Sequence, residues 1–161
     1  METAGKPRTT VAVRVLALFC YTVAAIVMFT SHQHVHAQSS NLTVKYDEWD
    51  GFRLFATVNI IGGVYNLLVP CIGAGSPLWK TVIVLDVIMN LVVGAILGAG
   101  WPTYFLIKKG NKLWFPVCGV APIFCNKILG SLITSTIGFF INFLLLIYIL
   151  HVSVDPFLVR K

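Results

Sequence analysis

The stretch Thr81–Gly100, TVIVLDVIMNLVVGAILGAG, is apolar along nearly its whole length, and its reading decides the fold. About twenty such residues are enough to cross a hydrocarbon core as a helix. The stretch carries one acid, Asp86, roughly two turns in from Lys80. An unpaired carboxylate at that depth costs about 2.5–3.5 kcal/mol on insertion scales, so Asp86 should face other helices and have a partner. Arg14 is the obvious candidate, in the first turn of the apolar run Val11–Phe29. In a chain with alternating spans, the first and third run in the same direction. At a rise of about 1.5 Å per residue the depths of Arg14 and Asp86 differ by only a few ångströms, which a long arginine covers. The expected role is a buried ion pair that locks the bundle. A proton or ion relay is the competing role, but transporters usually show several embedded ionisable groups and broken helices.

Two further apolar runs, 52–72 and 128–150, join 11–29 and 81–100 to make four candidate spans. The chain is 57% hydrophobic and only 11% charged. A soluble domain carries about a quarter charged residues, so this is an integral membrane protein. The reading is all-α: a four-transmembrane-helix bundle with both termini cytoplasmic, two outer loops and one short inner loop. Residues 1–10 form a disordered cytoplasmic N-terminal tail and 151–161 a cytoplasmic C-terminal tail. The net charge of +6 is scattered between spans and forms no basic run interleaved with aromatics, so nucleic acid is no partner. Contact with the lipid bilayer and its anionic headgroups is the plainer use of that charge. The positive-inside rule barely discriminates, because lysines and arginines balance across the two sides. The basic flank of the first span, Lys6 and Arg8, decides for an inner N-terminus.

The spans carry helix-packing seams. Asn59, Gly63 and Asn66 share a face of the second, small residues allowing close approach and amides bonding across. Gly94-x-x-x-Gly98 lies in the third span, and Ser131, Ser135 and Gly138 recur on one side of the fourth. Pro70, Gly73, Gly75 and Pro77 end the second span and make it an antiparallel hairpin with the third.

Trp101–Lys127 reads as an outer loop containing Trp114, Pro102, Pro116 and Pro122. Within it Cys118 and Cys125 are spaced C-x6-C, which suits a local disulfide on an oxidising side. A thiol oxidoreductase would want C-x-x-C with an activating neighbour. Cys20 reads as packing, and Cys71, at the inner end of the second span, is a candidate palmitoylation site. The other outer loop, Thr30–Gly51, is polar. Asn41-Leu42-Thr43 is an N-glycosylation acceptor triplet, placing a candidate glycan on Asn41. His32, His34 and His36 alternate there without a fourth ligand nearby, so the reading is a solvated loop with no metal. Lys6 and Arg8 with the following apolar run could also open a signal peptide cleaved after Val35-His36-Ala37. The run of about nineteen residues exceeds the usual ~7–15 of such a segment, which favours a retained span.

Together these residues resemble the CASP-like family of plants, relatives of the Casparian strip membrane domain proteins. The resemblance rests on Arg14, Met28-Phe29-Thr30-Ser31-His32-Gln33, Phe52-Arg53-Leu54-Phe55-Ala56-Thr57-Val58-Asn59, Asp86, and the pair Cys118 and Cys125. It implies a four-helix plasma-membrane protein with cytoplasmic termini that forms homo- and hetero-oligomers. The strip-forming members build a stable membrane platform and recruit wall-modifying enzymes. The His-, Gln- and Ser-rich first outer loop departs from those members, so the fold, topology and scaffolding carry over and the tissue role does not.

The expected function is therefore a non-enzymatic plasma-membrane scaffold without cofactor. It associates with itself and with related four-helix proteins and recruits partners such as secreted wall-modifying enzymes. The alternative is a small transporter or channel using Arg14 and Asp86 with Asn59 and Asn66 as a polar path. Lys108, Lys109 and Lys112, on the outer side, suit contact with anionic wall polysaccharide.

Overall fold

The protein is described by a computed structural model covering residues 5–37, 40–72, 78–110 and 117–158. Helix α1 runs from Gly5 to Phe29. Its buried residues are Arg14, Ala17, Tyr21, Ala24 and Met28, alternating steps of three and four, with Cys20 and Ala25 beside them. Large apolar residues face outward instead: Val15, Leu16, Phe19 and Ile26. The inward face mixes alanines 17, 24 and 25, which allow close backbone approach, with the larger Arg14, Tyr21 and Met28; the outward face can carry bulky apolar residues because lipid tails solvate leucine as well as protein does.

A hairpin follows, β1 His32–Ala37 against β2 Ser40–Lys45, antiparallel with His32 opposite Lys45 and His36 opposite Asn41. This corrects the solvated loop expected over Thr30–Gly51. Val35, Leu42, Thr43 and Val44 give the segment enough β-preferring residues to pair once both its ends are anchored on helices. After a 3₁₀ turn, Tyr46–Glu48, helix α2 spans Asp50–Leu68, opening on Asp50 where an acid complements the helix dipole. A second 3₁₀ turn, Val69–Cys71, ends it at Pro70.

Helix α3 runs from Trp79 to Lys109. Its last nine residues lie in the stretch expected as an outer loop, so Pro102 is inside the helix and does not end it. Proline there forgoes its bond to the Gly98 carbonyl. The helix continues because Tyr104 and Ile107 follow at helical spacing and are both buried. It stops at Gly110, whose φ of 67° is the left-handed value glycine adopts without strain. Lys108 and Lys109 lie in the last turn, where cations are favoured.

A short helix, α4 Val117–Val120, leads into α5, Pro122–Leu158. Pro122 opens that helix, a position proline suits because the N–H it lacks would have no partner there. Phe124, Cys125 and Ile128 then turn inward. The loop expected over Trp101–Lys127 is thus helical at both ends. At the termini the tails are also shorter than expected: Gly5–Thr10 belongs to α1 and 151–158 to α5. Gly73, Gly75, Pro77, Lys112, Trp114, Pro116, Arg160 and Lys161 lie outside the described residues.

Among the described residues four helices are long and apolar enough to cross a membrane: Thr10–Phe29, Asp50–Cys71, Lys80–Lys109 and Pro122–His151. They form a ring in which α1 packs on α2 and α5, and α3 packs on the same two. Helices α1 and α3 therefore face each other across the diagonal. Thr10 and Tyr148 line one groove, which puts the two chain ends at the same end of the bundle. At the other end, the hairpin end, Lys127 donates to the Thr30 carbonyl at 2.7 Å and Gln33 accepts from the Phe124 N–H at 3.0 Å. The second contact occupies a donor that a helix N-terminus leaves without an intrahelical partner.

Helices α1 and α5 approach closely at Gly138, where an added Cβ would meet the Cβ of Cys20 at 3.0 Å and the Tyr21 ring at 3.2 Å. Gly138→Val should therefore cost about 1–3 kcal/mol of stability, as overpacking does. Gly98 has nothing within 4 Å. Gly98→Ala should leave the melting temperature of the detergent-solubilised protein unchanged or slightly raised, and thermal unfolding of both variants is the check.

Candidate functional site

Arg14 of α1 and Asp86 of α3 meet in the centre of the ring. Two parallel hydrogen bonds join them, Nη1 to Oδ1 at 3.1 Å and Nη2 to Oδ2 at 2.6 Å. Arg14 is 1% exposed and Asp86 6%. This fork-to-fork arrangement engages both terminal nitrogens of the planar guanidinium and is among the stronger hydrogen-bonded geometries, while Arg14 Nε is buried with no hydrogen-bond partner among the described residues. A third helix contributes Tyr65 of α2, whose hydroxyl lies 2.7 Å from Asp86 Oδ1 and 3.2 Å from the Val82 carbonyl. The shorter contact gives the carboxylate its third donor. Sequence reasoning missed Tyr65. Its signal was a phenol inside an apolar span next to Asn66, since a buried tyrosine hydroxyl usually needs a partner.

One turn further along α3, Asn90 donates to the backbone carbonyl of Asp86 at 2.8 Å. The centre thus holds one positive and one negative charge with a phenol. Among the described residues there is no group of three His, Cys, Asp or Glu that could hold a metal ion.

The seams divide in use. Asn59 bonds across the ring, its Oδ1 accepting from Ser135 of α5 at 2.8 Å while its Nδ2 returns to the Phe55 carbonyl. Asn66 does not bond across: its Nδ2 donates to the Gly62 carbonyl of its own helix at 2.9 Å. Ser131 donates to the Ala24 carbonyl of α1 at 2.6 Å. Gly63 lies against Leu18, with Gly62, unremarked in the sequence, against Tyr21. In the Gly94/Gly98 motif only Gly94 has a neighbour, Phe139, within reach of an added Cβ, while the tightest glycine of α3 is Gly100, where an added Cβ would meet Leu132 at 2.9 Å. Tyr21 and Asn142 add a cross-helix contact of 3.2 Å that the sequence did not announce.

At the hairpin end Cys118 and Cys125 form a disulfide with a Cα–Cα distance of 5.5 Å, tying α4 back to the first turn of α5. Cys20 is buried and Cys71 exposed, both as free thiols. Asn41 lies in β2. Phe29 and Tyr46 pack edge to face at 5.4 Å, and Trp101, Tyr104 and Phe105 cluster on α3 with Lys108 over the Tyr104 ring. Aromatic residues gather in this way at membrane–water interfaces.

Residues 4–141 match the family described as Casparian strip membrane protein domain. The chain is 39% identical over 149 residues to CASP-like protein 1C1 of Arabidopsis thaliana, covering 91% of each. It is 36% identical to CASP-like protein 1C2 of the same plant, covering 90% of each. Against CASP-like protein 1C2 of Vitis vinifera it is 33% identical, over 86% of this chain and 87% of the relative. No solved structure matches.

Removing one partner of the central pair strands the other in low dielectric, which costs about 3–5 kcal/mol. Arg14→Ala and Asp86→Ala should each lose that much stability and reach the cell surface poorly. The double replacement Arg14→Met with Asp86→Leu should regain most of the loss, because an apolar pair strands no charge. Tyr65→Phe should lose less, about 1.5–3 kcal/mol, the value of a hydrogen bond to a charged group. Thermal unfolding of the four variants checks this ordering. Cys118→Ser should cost about 2–3 kcal/mol, as expected for a disulfide closing a short loop. The check for that variant is the melting temperature with and without reductant.

Proposed function

The chain belongs to the Casparian strip membrane protein domain family, and on that premise we propose that it is a non-enzymatic scaffold of the plant plasma membrane. It crosses the bilayer four times with both termini in the cytoplasm and the hairpin end outside. It associates laterally with itself and with related four-helix proteins to hold a membrane domain in place, and its outer face recruits partners, including secreted wall-modifying enzymes. What supports this role is the bundle's interior. The charges at its centre satisfy each other in a bidentate pair with a phenol donor, so they act as a brace. The relatives named above are CASP-like membrane proteins, and none of their names describes a catalytic activity. An outside hairpin end places the Cys118–Cys125 bridge in an oxidising compartment, and puts the Asn41 acceptor triplet on the same side as the glycosylation machinery.

The outward large side chains of all four spans, among them Phe19, Ile61, Leu91 and Leu144, are apolar and exposed, which suits both lipid and flat lateral contact. Fluorescence recovery and two-colour co-precipitation at native expression test the scaffold. Slow lateral diffusion with self-association is the expected result. A freely diffusing monomer, or solute flux in liposomes that disappears with Asp86→Asn, would overturn it.

A further inference from the structure

Beside the central ion pair three buried polar atoms, one on each of three helices, have no hydrogen-bond partner among the described residues: Arg14 Nε, Asn66 Oδ1 and Asn90 Oδ1. Arg14 and Asn66 are each 1% exposed. Arg14 commits both Nη atoms to Asp86, so its Nε–H points aside from the carboxylate. Asn90 is anchored by its Nδ2 on the Asp86 backbone carbonyl, and Asn66 by its Nδ2 on the Gly62 carbonyl. A flip of either amide would set oxygen against oxygen, so both Oδ1 atoms stay as acceptors.

The three atoms lie at neighbouring heights in the ring. Phe55 of α2 meets the position of Gly100 on α3, and counting from that contact along the antiparallel pair brings Asn66 level with Met89 and Asn90. Gly62 and Gly63 lie against Tyr21 and Leu18, and the same counting brings Asn66 within a turn of Arg14. From this convergence we propose that the layer is a binding site for ordered water, one or two molecules bridging Arg14 to the two asparagines. A buried water needs roughly two to four polar partners and typically makes about three hydrogen bonds. Here it accepts from the Nε–H and donates to the two amide oxygens. A cation suits the oxygens but not the guanidinium beside them, and an anion suits the guanidinium but not the oxygens. Hydrocarbon would leave all three atoms unbonded in a medium where that is costly.

Buried apolar residues close the layer on both sides. Val69 and Val82 lie about a turn towards the chain termini, and Val93 and Leu97 lie on the hairpin side. The water is therefore held and not conducted, and it extends the brace from Asp86 and Tyr65 to both amides. The site rests on this geometry alone and not on the scaffold role proposed above.

The test exposes the full-length protein in phosphatidylcholine nanodiscs to a brief X-ray pulse, which splits water into hydroxyl radicals, and maps oxidised residues by mass spectrometry. Water bound in the layer oxidises the side chains beside it. The reporters are Tyr65, next to Asn66, and Tyr21, whose ring lies against Gly62. Phe55 and Phe124, fully buried and away from the three atoms, are the controls. After correction for intrinsic reactivity, both tyrosines should be oxidised several-fold faster than either phenylalanine, and a membrane-impermeant scavenger in the bulk should leave that ratio unchanged. Asn66→Leu with Asn90→Leu leaves Arg14 Nε as the one remaining partner, too few to hold a water, and should bring the tyrosines down to the Phe55 rate. Equal rates at the tyrosines and phenylalanines in the wild type overturn the site, and this arm stands even if the variant fails to fold. Undiminished oxidation in the folded variant overturns it, and so does quenching by the bulk scavenger, which would mean an open aqueous path.

Discussion

A single guanidinium–carboxylate pair spans the diagonal of the ring, and the arrangement of the four helices depends on it. Helices α1 and α3 are not neighbours; each packs on α2 and α5. Only the length of the arginine side chain lets Arg14 reach Asp86 across the middle, and Tyr65 then ties α2 to the same oxygen. Two charges in a hydrocarbon-like interior have no alternative partners, so any rearrangement that parts them leaves both uncompensated. The pair therefore fixes the relative height and rotation of three helices at once. That is a constraint on specificity more than a source of net stability, since the desolvation of both ions offsets much of their attraction.

Around that brace the bundle is held by proximity. Buried alanines on α1, glycines at 62, 63 and 138, and the serines at 131 and 135 bring backbones close enough for cross-helix hydrogen bonds such as Ser131 to Ala24 and Ser135 to Asn59. Hydrogen bonds of this kind average only about 0.6 kcal/mol in a membrane, so they refine the packing without dictating it. Other large apolar residues on all four spans are exposed on the outside. Lipid covers them by default, and a lateral scaffold would share them between lipid and neighbouring copies.

The hairpin end is built differently from the membrane-embedded part. Here α3 and α5 extend past α1 and α2, and their extra turns carry Tyr104, Ile107, Phe124 and Ile128 into a common core with Phe52 and Met28. The disulfide, the Lys127–Thr30 contact and the Gln33–Phe124 contact stitch the hairpin and α4 onto that core. Among the described residues the hairpin, α4 and the first turns of α5 thus form a packed cap on one end of the bundle.

Much of this was open to reading before any coordinates. Four apolar runs, a charge content far below that of a soluble domain and alternating spans are local or compositional properties, and they settle a four-helix membrane bundle because backbone polar groups in lipid must be satisfied within each helix. The depths of Arg14 and Asp86 follow from counting residues along two parallel helices. Partners that depend on rotation about a helix axis could not be counted in that way. That Tyr65 and not Asn66 turns to the carboxylate, that Gly100 and not Gly98 meets a neighbour, and that Pro102 lies inside a helix were all decided by which faces the closed ring brought together. Periodicity in one strand of sequence reports how far along a helix a residue lies, whereas contact across a bundle is set by how four helices pack at once.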